Sequence, residues 1–240
     1  MRSAVAAAVL LPFLRIKKLS WNRWMALYLL SFTGLSITII YAIRLTDPAI
    51  AVGMQYTAII WLLLIEVIQG AKLTGKQLIS LAMIFVGMAV FMASGIFSGS
   101  YIGNIIALTE GVFFAGMTLG SRKVSGDNPL GLTAVANLTV ALVVFGLLSP
   151  SLFDAASLSR LDWTILIILG VVQIGGGHAL YNIGLQYVSP KSASVIALWE
   201  MILGPLWVAV FLAQYPSPIV IIGLIIILVG MLLNICWSDS

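Results

Sequence analysis

Apolar residues along this chain fall in runs near 20 residues long, separated by short clusters of charged residues, Gly and Pro. A helix rises about 1.5 Å per residue, so such a run is long enough to cross a hydrocarbon core of about 30 Å. The pattern predicts helices at about Trp24 to Ile43, Ala49 to Gly70, Gln77 to Phe97, Tyr101 to Leu119, Leu130 to Leu152, Trp163 to Val188, Ala193 to Ala213 and Pro218 to Trp237. The opening run, Ser3 to Leu14, reaches only about 18 Å and reads as half a helix. Arg2 ahead of it resembles the start of a signal peptide, but Arg15, Lys17 and Lys18 stand where a small-residue cleavage site belongs. The expectation is an all-α bundle of about nine membrane-spanning helices joined by short connections.

Composition fixes the solvent. Hydrophobic residues make up 61% of the chain and charged residues 8%, against roughly 45–50% and 25% in soluble domains. A soluble core could not hide that much apolar surface, so lipid is the medium around this fold. The net charge of +4 does not point to nucleic acid, because the Lys and Arg residues are scattered through short loops. They read as orientation signals instead. With the Arg15 to Arg23 loop in the cytoplasm, alternate loops hold nine of the twelve basic residues inside and leave Arg2, Arg44 and Arg160 outside. That is the positive-inside bias of a multi-pass cell (inner) membrane protein with a cytoplasmic C-terminus. A lone cysteine, Cys236, excludes an internal disulfide.

Two stretches repeat one another. Tyr41-Ala-Ile-Arg-Leu leads through Pro48 to Val86-Gly87-Met88, and Tyr181-Asn-Ile-Gly-Leu leads through Pro190 to Val229-Gly230-Met231, at offsets of 140, 142 and 143. Spacing held that closely implies duplication. Matched loops differ in charge: Arg15 to Arg23 is basic where Asp154 to Asp162 is not, and Lys72 and Lys76 match the uncharged Gln214 to Ser217. The halves, 1–97 and 101–237, therefore have inverted topology, an architecture in which two repeats exchange conformations around a midplane site. Inversion needs an odd number of helices per repeat, and Tyr101 to Leu119 lacks a first-half partner. The expectation is that about one and a half helices would precede Met1.

These residues resemble the drug/metabolite transporter superfamily, EamA type. The resemblance is carried by Arg2-Ser-Ala-Val-Ala, by Gly34 with Tyr41-Ala-Ile-Arg-Leu-Thr, by Ala197-Leu-Trp-Glu-Met-Ile-Leu-Gly-Pro205-Leu-Trp207, and by Ile222-Gly223 to Gly230. It covers essentially the whole chain and implies ten helices in two five-helix inverted repeats, with the first helix and part of the second lacking here. It also likens Glu200 and Pro205 to the glutamate and proline of the family's ninth helix.

Three ionisable side chains fall at membrane depth: Glu110, His178 and Glu200. A carboxylate at the bilayer centre costs about 2.5–3.5 kcal/mol on insertion scales, so such residues face a cavity or a partner and mark solute or proton paths. Glu200, with Trp199 beside it and Gly204-Pro205 following, is the leading candidate for a binding centre. The competing reading is a neutral carboxyl hydrogen-bonded between helices. Glu110 precedes Gly111 and the Gly116-x-x-x-Gly120 packing motif, so its helix can equally be a packing element. His178, Asn182 and Gln186 are spaced four apart with Tyr181 beside them, a polar stripe that can line a cavity or glue helices together. Gln55, Tyr56 and Thr57 match Trp199-Glu200 across the repeat within one residue and are expected to face the same cavity.

The sequence contains no phosphate-binding loop, nucleophile-and-base pair or metal-ligand cluster. That argues against an enzyme, a cofactor or ATP-driven transport by this chain alone. The leading expectation is a secondary transporter exporting amino acids or similar small metabolites, with a proton as the coupling ion that the intramembrane carboxylates suggest. A lipid or lipid-linked solute flippase, or a non-transporting membrane subunit or fragment, are the alternatives. Oligomeric state has no signal in the sequence.

Overall fold

The computed structural model describes residues 1–46, 48–70, 72–96, 101–126, 128–147, 158–212 and 217–238. All regular structure among them is helical. In chain order the helices are α1 (Arg2–Leu10), α2 (Arg23–Leu45), α3 (Pro48–Met54), α4 (Ala58–Ile68), α5 (Gly75–Ile96), α6 (Tyr101–Val124), α7 (Pro129–Leu147), α8 (Arg160–Ile168), α9 (Gly177–Gly184), α10 (Pro190–Leu212) and α11 (Pro218–Ser238). The protein is an all-α membrane protein: five of the described stretches are long and apolar enough to span a bilayer, and shorter apolar helices accompany them.

Helix starts follow local chemistry. Helices α3, α7, α10 and α11 open on a proline, whose missing N–H belongs to a position with no intrahelical acceptor. Asn22 caps α2 by accepting from the amides of Trp24 and Met25 at 2.9 and 3.2 Å. Two reciprocal capping boxes precede α5 and α8. Thr74 and Gln77 exchange bonds of 3.2 and 3.3 Å, and Ser159 and Asp162 exchange bonds of 3.2 and 2.9 Å. Asp162 therefore sits in the first turn of a helix, where the sequence pattern placed it in a loop. Residues 154–157 of that loop, and residues 214–216 of the Gln214 to Ser217 loop, lie outside the described residues.

Two predicted helices are interrupted. The Ala49 to Gly70 run is split by a single 3₁₀ turn, Gln55–Thr57, into α3 and α4, and Gly70, at φ 92°, lies just beyond α4. The Trp163 to Val188 run is split by a π-helical stretch, Leu169–Gly176, between α8 and α9. Each π turn takes in about one more residue than an α turn and is rare outside functional or strained sites. Helix α10 runs without interruption through Gly204 and Pro205.

The chain packs as two compact units, one of residues 1–37 and 116–190, the other of residues 38–115 and 191–240. Neither coincides with a half of the sequence. In the first unit α1 lies on α7 and on the π stretch, close enough that a Cβ on Gly170 would come within 2.8 Å of Val5 and 2.9 Å of the Arg2 carbonyl. The Gly116-x-x-x-Gly120 motif is seated against α2. A side chain on Gly116 would overlap Ser31, and one on Gly120 would meet Tyr28 and the Trp24 carbonyl within 2.9 Å.

In the second unit α5 and α11 pack together along their length. A Cβ on Gly223 would lie 2.6 Å from the Phe91 amide nitrogen, one on Gly87 would lie 2.7 Å from the Ile227 amide nitrogen, and one on Gly230 would lie 2.9 Å from the Ser80 carbonyl. Backbones can approach this closely only because the crossing is lined with glycine. Ile59, Ile84, Leu198, Ile227 and Met231 form the buried centre of this unit.

Candidate functional site

The polar stripe belongs to the first unit. Asn182, only 1% exposed, uses its amide fully. Its nitrogen donates to the Tyr28 hydroxyl at 2.9 Å and to Thr133 Oγ1 at 2.8 Å, and its oxygen accepts from Ser121 Oγ at 2.6 Å. One side chain on α9 thus ties together α2, α6 and α7. Tyr181 pairs its hydroxyl with Thr118 Oγ1 at 2.8 Å. His178 is half-buried, its ring edge-on to Phe32 with centroids 4.8 Å apart. Its Nδ1 lies 3.0 Å from the Ile174 carbonyl, and since a carbonyl only accepts, Nδ1 carries the hydrogen. Gln186 falls past the end of α9, where its amide donates to the carbonyls of Ser125 and Gly126 at 2.8 and 3.2 Å.

The remaining candidates belong to the second unit. Gln55 and Tyr56 occupy the 3₁₀ turn between α3 and α4. Tyr56 is buried, with its ring edge-on to Phe114 at 6.3 Å. Thr57, in the same turn, donates its hydroxyl to the Met54 carbonyl at 2.7 Å. This turn is where α6 crosses: a side chain on Gly111 would overlap the Thr57 hydroxyl and come within 3.1 Å of the Ala58 amide nitrogen. Glu110, one residue away, is fully buried, and neither carboxyl oxygen has a hydrogen-bond partner.

Trp199 and Glu200 on α10 are exposed, and Glu200 makes no hydrogen bond or ion pair among the described residues. The side chains of Pro205 and Trp207 lie outside what the structure describes. The sequence pattern put both Glu110 and Glu200 at membrane depth and ranked Glu200 first, but did not show that their surroundings are opposite. Sequence reasoning also missed the hydroxyl partners Tyr28, Thr118, Ser121 and Thr133. The available signal was Asn182 itself, since an amide in an apolar helix needs partners on neighbouring helices.

Among the described residues there is no group of His, Cys, Asp and Glu that could hold a metal ion. The arrangement offers one hydrogen-bonded helix junction, one exposed carboxylate beside a tryptophan, and one sealed carboxyl at a helix crossing.

Residues 101–236 match the model of the EamA-like transporter family, more than half of the chain. The chain belongs to that family. It is a membrane transporter of the drug/metabolite type. A relative from Acidianus ambivalens, described as an uncharacterized transporter in the sor 3' region, is 29% identical over 185 residues, covering 75% of this chain and 70% of its own length. A protein of known crystal structure shares the fold with a TM-score of 0.74 at 20% identity, over 100% of this chain and 85% of its own.

Proposed function

We propose that this EamA-family chain is a secondary transporter, without enzymatic activity, that exports amino acids or similar small metabolites by alternating access between two inverted repeats, 1–97 and 101–237. The observation that carries this reading is the packing of α5 on α11. Gly87 approaches Ile227 and Gly223, while Gly230 approaches Ile84 and Ser80. Adding the repeat offset of 143 to Gly87, Ile84 and Ser80 yields Gly230, Ile227 and Gly223. The contact therefore maps onto itself when the repeats are exchanged, as a two-fold relation requires. Such symmetry lets one sequence adopt two conformations of similar energy, which alternating access needs.

In this reading Glu200 receives the amine of the solute and Trp199 packs against its apolar part, with Gln55 and Tyr56 of the same unit shaping the path, while His178, Tyr181 and Asn182 brace the helix junction of the first unit. A hydrogen bond to a charged group contributes about 1.5–3 kcal/mol, or roughly ten-fold to hundred-fold in apparent affinity. Proteoliposomes loaded with radiolabelled amino acids are expected to show flux, and Glu200→Gln is expected to raise the apparent KM for amine-bearing solutes by that factor without loss of folded protein. Lipid translocation with no amino-acid flux would favour a flippase instead. Unchanged KM in Glu200→Gln would remove Glu200 from the path.

The charge distribution supports an orientation in the inner membrane with the C-terminus in the cytoplasm. A reporter fused after Ser240 is expected to be active only in its cytoplasmic version. Activity of an externally functional reporter there would reverse the orientation.

A further inference from the structure

Of the buried side-chain atoms without a hydrogen-bond partner, two belong to one carboxyl, that of Glu110. It lies on α6 beside Gly111, where that helix is pressed onto the 3₁₀ turn Gln55–Thr57 that breaks the helix beneath it. Interrupted helices at membrane depth free backbone groups and mark ion and solute sites. A sealed carboxyl and a helix break thus share one crossing within the second unit.

The groups facing this crossing do not offer a counter-charge. In the turn and on α4 the nearest titratable neighbours are Tyr56, whose ring packs on Phe114, and Glu66, which lies nine residues, or about 13 Å, beyond Thr57 along the helix axis. The end of α2 meets α6 at Gly103 through Leu45. Its Arg44 is therefore about 10 Å from Glu110 along α6, and Tyr41, one turn nearer because the two helices run antiparallel, is about 5 Å away along the axis but exposed. On α6 itself Tyr101 is more distant still. None of these is joined to Glu110 by a hydrogen bond or ion pair, so the occluded carboxyl has only its own proton with which to become neutral.

We infer that Glu110 is a proton-binding site of the second unit, occluded at the α6 crossing over the Gln55–Thr57 turn and separate from the exposed carboxylate of Glu200. The proton is held while the crossing is closed and exchanges with water when the turn rearranges. This inference rests on the transporter reading for its role, as the site of the coupling ion, but the occupancy of the site is a property of the chain itself. A sodium ion fits the place poorly. It needs several oxygen ligands, and the Thr57 hydroxyl is already directed to the Met54 carbonyl at 2.7 Å.

Infrared spectroscopy of the whole chain in liposomes reads the site without any solute. A carbonyl stretch of a protonated carboxyl is expected at neutral pH, shifting slowly in heavy water because the group is sealed. It should be absent in Glu110→Gln, retained in Glu66→Gln, and retained at an altered frequency in Glu110→Asp should the glutamine variant not fold. In flux assays Glu110→Gln is expected to lose the response to an imposed pH gradient while the apparent KM for solute stays within about two-fold. A band that survives in Glu110→Gln, or one displaced by sodium at constant pH, would overturn the inference. Because the infrared arm involves no transport, absence of amino-acid flux would bear on the proposed function alone.

Discussion

Replacing Gly223 by leucine is expected to separate α5 from α11 and unfold the second unit. A Cβ at position 223 would stand 2.6 Å from the Phe91 nitrogen and 2.9 Å from both the Phe91 Cα and the Gly87 carbonyl. All three are main-chain atoms, so no rotamer change relieves the overlap and the helices must move apart. Overpacking a core ordinarily costs about 1–3 kcal/mol. Here the leucine also strips contact from the crossing on either side, so the loss should reach or exceed the top of that range. Gly146 on α7 provides the comparison, because a Cβ there meets nothing within 4 Å. Unfolding of the purified protein in mixed micelles by increasing detergent denaturant should show Gly223→Leu greatly destabilised and Gly146→Leu close to the parent. Equal stability of the two variants would mean that α5 and α11 are not held in this contact.

Asn182→Leu is expected to loosen the first unit, for a different reason. The substitution removes three hydrogen bonds, each worth only about 0.6 kcal/mol on average in a membrane. The fate of the abandoned partners sets the balance. Thr133 keeps its bond to the Pro129 carbonyl at 2.9 Å, and Ser121 can turn toward a carbonyl of its own helix. Tyr28 has no such recourse, since its hydroxyl is carried too far from the main chain of α2, and a buried polar group left unpaired costs about 1–3 kcal/mol. A total near 2 kcal/mol follows, most of it residing in Tyr28. A double-mutant cycle with Tyr28→Phe checks this: the second substitution should recover much of the loss once Asn182 has gone, because it removes the unpaired hydroxyl. Strictly additive losses would show that the two residues do not act through their mutual bond.

Much of this fold is legible in the residue pattern because lipid imposes simple rules. Run length located the apolar helical stretches, their expected starts at Ala49, Leu130, Ala193 and Pro218 fall within three residues of the observed ones at Pro48, Pro129, Pro190 and Pro218, and Gly116-x-x-x-Gly120 gave a true close crossing. Which face of a helix is buried was not legible. In a soluble protein polar residues mark the solvent side, but in a bilayer both the lipid side and the packed side are apolar. Sequence neighbours could rank Glu200 above Glu110, but they could not show that Glu110 is sealed and Glu200 exposed.

The stripe of His178, Asn182 and Gln186 was only half legible. Asn182 and His178 do share α9, but the helix ends at Gly184, so the four-residue spacing to Gln186 no longer means a common face. The π stretch at Leu169–Gly176 was hidden for a related reason. It changes the number of residues per turn without changing composition, and no pattern of apolar residues reports that.

The pairing of α5 with α11 also orders events in time. When α5 leaves the ribosome its partner is still more than 100 residues from being synthesised, since α5 ends at Ile96 and α11 begins at Pro218. At about 5–20 residues per second, the glycine-lined groove of α5 stays open to lipid or to a chaperone for roughly 10 s. Nascent-chain length thus becomes a folding variable: the second unit can close only after nearly the whole polypeptide has been inserted.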